Sequence, residues 1–128
     1  MTAEPVQPPD TTQLLRTRYL AAVDAVEGAS ERTIAALVAA QEARDLARAA
    51  IAAGRPMTEL ESMIEPQSLR ASVSDALTEL ERTRHDAQRL LFQLLHAEGQ
   101  TMADIGRTWG ISRQLVSRLV NEPDPESP

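Results

Sequence analysis

The chain contains no cysteine and no lysine, and only one Trp, one Tyr and one Phe among its 128 residues. Without cysteine there is no disulfide, no thiolate zinc site and no sulfur nucleophile. No apolar run approaches the ~20 residues needed to span a bilayer. The opening MTAEPVQPPD has neither the basic nor the apolar stretch of a secretory leader. A cytoplasmic protein without a membrane role is expected. Strand formers are scarce and no stretch alternates with period two, so the reading is all-α. Hydrophobic residues make up 42% of the chain, and with so few aromatics the core must be built from Ala, Leu, Val and Ile. All 13 basic residues are Arg, a usage that fits a GC-rich bacterial genome.

Groups able to do chemistry are also few. His85 and His96 are the only histidines, eleven positions and so three turns apart on one expected helix. Glu81, one turn before His85, reads as an ordinary helix-surface ion pair rather than half of a metal site. Glu59, Glu61 and Glu65 sit at a helix start, where capping and the helix dipole account for them. There is no phosphate-binding glycine loop and no Ser-His-Asp set. No catalytic residue, metal or cofactor is expected.

The net charge of −6 argues against a nucleic-acid partner only until its distribution is read. Residues 1–81 hold seven Arg against thirteen acids, whereas residues 82–120 hold six Arg against three. Glu122, Asp124 and Glu126 then make the tail acidic. The basic charge is concentrated in one segment.

Prolines mark the boundaries. Pro5, Pro8 and Pro9 make residues 1–10 a disordered arm, and the acidic, proline-rich residues 122–128 a disordered tail. Asp10 or Thr11 can cap a helix from Thr12 to about Ala53, with an apolar stripe of Leu15, Tyr19, Val23, Val26, Ile34, Leu37, Val38, Leu46 and Ile51. Gly28-Ala29-Ser30 could kink or divide it; one long helix is favoured. Gly54-Arg55-Pro56 ends it. Thr58 and Glu61 form a capping-box pair for a short helix that stops near Pro66. The next helix runs from about Ser68 to Ala97. Val73, Leu77, Leu80, Arg84, Ala87, Leu91 and Leu94 follow a 4-3-4-3-4-3 spacing along it, a heptad seam. Arg84 either marks the end of a coiled-coil contact or packs its stem while its head reaches water. The expected organisation is a helical hairpin over residues 11–84 followed by a separate unit over 85–121. One hairpin cannot cover every apolar face, so a homodimer is expected, with Val73, Leu77 and Leu80 at its interface.

After Gly99 the chain reads QTMADIGRTWGISRQLVSRLVNE. The spacing predicts a helix from Thr101 to Trp109, opened by Thr101 and Asp104, and a left-handed turn at Gly110. Ser112 then caps a second helix from Arg113 to Asn121. Ile105 and Trp109 face inward from the first helix, Ile111 plugs the turn, and Val116 and Leu119 face back from the second. Gly106 is small enough for the helices to cross closely. Leu91, Leu94 and Leu95 complete a three-helix core. Trp109 is expected to be core.

The run Gly110-Ile-Ser-Arg-Gln-Leu-Val-Ser-Arg-Leu-Val-Asn121 resembles the recognition half of the lac-repressor-type headpiece. It is also similar to the DNA-binding helices of sigma factor region 4 and of invertase-type recombinases. The resemblance covers about residues 99–121, while residues 1–84 match no recognised family. A lac-type repressor carries its headpiece first and a sugar-binding domain after it, so the resemblance implies DNA binding and not sugar sensing. It places Arg113, Gln114 and Arg118 against base edges, where Arg suits guanine and Gln adenine. Thr101, Arg107, Ser112 and Ser117 fall against phosphates. The expected partner is double-stranded DNA, and the expected function a sequence-specific, dimeric bacterial transcriptional regulator acting at the nucleoid. The alternative is a helical adaptor or partition-type protein whose acidic helical region binds another protein and whose head docks on DNA with weak preference.

Overall fold

The computed structural model describes residues 10–124, and helix is the only regular secondary structure among them. Five helices follow in chain order: α1 Thr11–Ala52, α2 Met57–Ile64, α3 Pro66–Ala97, α4 Met102–Trp109 and α5 Arg113–Asn121. Most of the arm expected over residues 1–10 and the last four residues of the expected tail lie outside the described residues. Asp10 is within them, and its carboxylate accepts the Thr12 N–H at 3.3 Å, capping α1. Both long helices end with an N–H reaching back five residues, Arg55 to the Ala50 carbonyl and Gln100 to the Leu95 carbonyl. The Thr58–Glu61 capping box does not form. Pro56 holds the N-cap of α2 without a side-chain bond, and Arg55 pairs instead with Glu59 at 3.2 Å. Glu65 takes a left-handed conformation, and Pro66 opens α3 at the position where a missing N–H costs nothing.

The described chain divides into two compact units. One combines residues 10–24 with 85–124, and the other is Ala25–Arg84. The first fourteen residues expected in the hairpin, 11–24, therefore cluster with the C-terminal helices.

Within Ala25–Arg84, α1 passes through Gly28 unbroken. Its buried positions here are Ala29, Thr33, Ala40 and Ala50, a stripe of small residues. The large apolar residues expected to form the inner stripe point elsewhere: Ile34 is 62% exposed and Ile51 61%, and Leu37, Val38 and Leu46 are exposed too. Small side chains let two helices approach closely. At the crossing, the Thr33 hydroxyl shares its proton between its own helix (Ala29 carbonyl, 2.7 Å) and α3 (Ala76 carbonyl, 3.2 Å). A buried hydroxyl thus satisfied carries no desolvation penalty.

The seam of α3 is correspondingly rotated from the expected one. Thr83, Leu90 and Leu94 are buried, with Ala76, Leu80 and Ala87 half-buried, again at 4-3 spacing. Val73 and Leu80 are half-buried, and Leu77 is exposed. Arg84 lies off this seam, exposed and paired with Glu81 at 2.8 Å. Thr83 takes the inner place because its hydroxyl bonds back to the Glu79 and Leu80 carbonyls, both at 3.0 Å.

In the other unit the core is Phe92, Ile105, Val116 and Leu119, flanked by Leu91, Leu95, Met102, Ile111, Leu115 and Val120. Each fully buried side chain of this size stabilises the fold by about 1.5–3 kcal/mol. Phe92 is the centre, and no leucine-based seam would have selected it. Trp109, expected inside, is 47% exposed and meets Phe92 edge-on with ring centroids 5.5 Å apart. Arg89 is the reverse case: it is only 2% exposed and paired with Asp86 at 2.5 Å.

Two glycines allow a test of these placements. A methyl on Gly106 would sit 2.8 Å from the Ile111 carbonyl oxygen, whereas one on Gly28 meets only the far end of the Arg32 side chain at 3.4 Å. Gly106→Ala is expected to lose about 1 kcal/mol net, since overpacking (about 1–3 kcal/mol) exceeds the gain in helix propensity (up to about 1 kcal/mol). Gly28→Ala should gain about 0.5–1 kcal/mol. Denaturant unfolding of the two variants checks the opposite signs.

Candidate nucleic-acid interface

The geometry of the α4–α5 pair begins at its caps. The Thr101 hydroxyl accepts the Asp104 N–H at 3.1 Å and the Asp104 carboxylate accepts the Thr101 N–H at 3.2 Å, a reciprocal box that starts α4. Gly110 ends α4 at φ 69°, ψ 33°, a left-handed conformation that a side chain would oppose. The Ile111 N–H returns to the Gly106 carbonyl at 3.0 Å. The Ser112 hydroxyl then accepts the Leu115 N–H at 3.1 Å and starts α5. With Val116 and Leu119 buried, the opposite face of α5 is turned to solvent.

That outer face carries the residues singled out for base contact. Arg113, Gln114 and Arg118 are all exposed. Neither arginine has an ion-pair partner among the described residues, unlike most arginines elsewhere in this unit. A guanidinium without a carboxylate is available to a guanine edge or a phosphate at no cost of breaking a pair. Arg113, Gln114 and Ser117 line one shallow depression. Arg113 also borders a second with Arg107 and Ser112, and a third with Thr101, Gln100 and His96. Six of the seven singled-out residues therefore adjoin one another around Arg113. Arg118 stands apart from these depressions, one turn along the same helix.

The supposed phosphate contacts differ in how committed they already are. Arg107 is paired with Asp104, so an approaching phosphate has to compete with that carboxylate. The hydroxyls of Thr101 and Ser112 accept backbone N–H groups as caps, and that of Ser112 keeps its own proton to donate. Ser117 is half-buried, and Asn121 donates to its carbonyl at 2.9 Å. His96 and Gln100 border the same rim, although no motif position marks them. They reach the rim because the chain turns at Gly99, with His96 Nδ1 3.0 Å from the Gln100 carbonyl. His85 places its Nε2 2.9 Å from Glu122, and Glu81 pairs with Arg84 at 2.8 Å. Among the described residues no cluster of three His, Cys, Asp or Glu could hold a metal ion. None of the helices is long and apolar enough to cross a membrane.

The Thr101 hydroxyl, then the Thr101 backbone N–H, and further the charge of Arg107 hold the Asp104 carboxyl below its ordinary value of 3.8. A depressed carboxylate stabilises the fold above its unfolded-state pKa, and that contribution disappears as pH falls through the lowered value. Asp104→Ala should therefore melt below the wild type at neutral pH, with the gap closing as the buffer is taken below the usual carboxylate range. Melting curves of both proteins across the acid range check this, and a gap that stays constant would contradict it.

Comparison with curated proteins and with solved structures gives no match to the chain. Among protein-family models, that of the MarR family matches residues 80–122, a third of the chain. The matched segment contains the second half of α3 together with α4 and α5, the three helices whose core and turn are described above. The chain thus carries a helix-turn-helix DNA-binding domain of the kind found in transcriptional regulators.

Proposed function

We propose that the protein is a sequence-specific DNA-binding transcriptional regulator that acts as a homodimer at the nucleoid. The observation that carries this reading is the outer face of α5. It presents two unpaired arginines and a glutamine on a helix whose ends and inner face are fixed by caps and core. In this reading Arg113, Gln114 and Arg118 contact base edges in the major groove, and Thr101, Arg107, Ser112 and Ser117 contact phosphates and set register.

The dimer is supported by the large apolar side chains left in solvent. Ile34, Leu37, Val38, Leu46 and Ile51 on α1 and Leu77 on α3 are exposed within Ala25–Arg84. Val73 on the same helix keeps part of its surface exposed, while Leu80, also expected at the interface, lies on the inner seam of α3. A second copy covers such a surface most economically, and two-fold symmetry then calls for an inverted-repeat site. Half-site spacing near one helical turn of DNA, about 34 Å, suits two adjacent heads, and longer helical arms would set them further apart.

Selection from genomic fragments by the purified protein is expected to return an inverted repeat, bound at least ~10³-fold more tightly than random duplex. Arg113→Ala and Gln114→Ala should each relax preference at one base position and cost about 1–3 kcal/mol there, while Arg107→Ala should weaken all sequences alike and lower the salt slope by about one. Recovery of random sequence, with tight capture of a protein partner, would favour the adaptor reading instead. Light scattering is expected to give a dimer at micromolar concentration, and a monomer there would remove the symmetric site.

A further inference from the structure

Three contacts converge on the last turn of α5 and the residues just beyond it. Gln93 on α3 donates from Nε2 to the Val120 carbonyl at 3.0 Å. His85, also on α3, places Nε2 2.9 Å from the Glu122 carboxylate. Arg18 on α1 forms an ion pair with Asp124. All six residues belong to one compact unit. The charges run against what a lone helix prefers. A helix C-terminus carries the negative end of the dipole and leaves its last carbonyls without partners, so Glu122 and Asp124 are unfavourable there on their own account. Each of the two acids is met by a nitrogen donor from α1 or α3, and a carbonyl of the last turn by a third. Acids at the wrong end of a helix, each answered from outside it, serve the contact and not the helix.

We infer that Arg18, His85 and Gln93 are positioning residues that fix the recognition helix through Val120, Glu122 and Asp124. The first turns of α1 then belong to the reading head. This rests on the DNA-binding reading of α5. With nine residues α5 is about 13 Å long, and its front end is held by the Ser112 cap and the turn. Holding the rear end as well removes the remaining freedom to tilt, which would otherwise move Arg113 and Gln114 relative to a base edge.

The test is a charge-exchange cycle in the full chain with Arg18→Glu, Asp124→Arg and both together, and Gln93→Leu as an independent break. In DNA-free protein, amide exchange at residues 119–122 should quicken about fivefold in each single variant and return in the double one, the size expected of an exposed pair. Thermal midpoints should move by less than about 3 °C. The ratio of affinity for the selected duplex over random duplex should fall about as much in the single variants and recover in the double. Exchange that is unchanged, or that quickens along the whole chain without recovery, overturns the proposal. If exchange behaves as expected but no form of the protein retains a duplex, the positioning of α5 stands and the DNA reading fails. Wild-type binding with unaltered exchange in the variants refutes the positioning alone.

Discussion

The reading head depends on the backbone contact between Gly106 and Ile111. The Ile111 N–H donates to the Gly106 carbonyl, and the Ile111 carbonyl oxygen lies 2.8 Å from where a methyl on Gly106 would be. That double approach leaves α4 and α5 little choice of crossing angle. Everything outward of it follows from rigid geometry: Ser112 falls at the N-cap, Val116 and Leu119 turn inward onto Phe92, and Arg113, Gln114 and Arg118 turn outward. At its front end the exposed chemistry is positioned by a contact that contains no charged group.

Charge is instead distributed by who is already paired. In the unit that holds the head, Arg16, Arg18, Arg89 and Arg107 each have a carboxylate partner, while Arg113 and Arg118 have none among the described residues. The acidic total of the chain is therefore a poor guide to what an approaching polyanion meets. The locally unpaired guanidiniums decide the potential at the face of α5, since screening limits the reach of distant acids to about a Debye length.

The parts that could be read from sequence alone are those governed by neighbours in the chain. Thr101 with Asp104, Gly110 and Ser112 each act within four residues, and all form as their spacing requires. Much of what escaped depends on partners far along the chain, but not all of it: the local Thr58–Glu61 box does not form, because Pro56 takes the N-cap. A count of leucines places the α3 seam in the wrong phase, because Thr83 takes an inner position once its hydroxyl is satisfied by its own helix. The α1 stripe was assigned to its large residues, when close helix approach selects Ala29, Ala40 and Ala50. Trp109 was placed inside by periodicity, but its ring needs only an edge against Phe92. Links such as His85–Glu122 and Arg18–Asp124 span 37 and 106 positions and leave no local trace.

The alanine stripe of α1 has a thermodynamic corollary. A methyl side chain transfers little free energy when buried, roughly 0.8 kcal/mol per carbon group, so the inner face of residues 25–84 contributes modestly to its own folding. The larger reserve lies on the outer face, in Ile34, Leu37, Val38, Leu46 and Ile51, where only an encounter can release it. Folding of this segment is then linked by mass action to whatever covers that face.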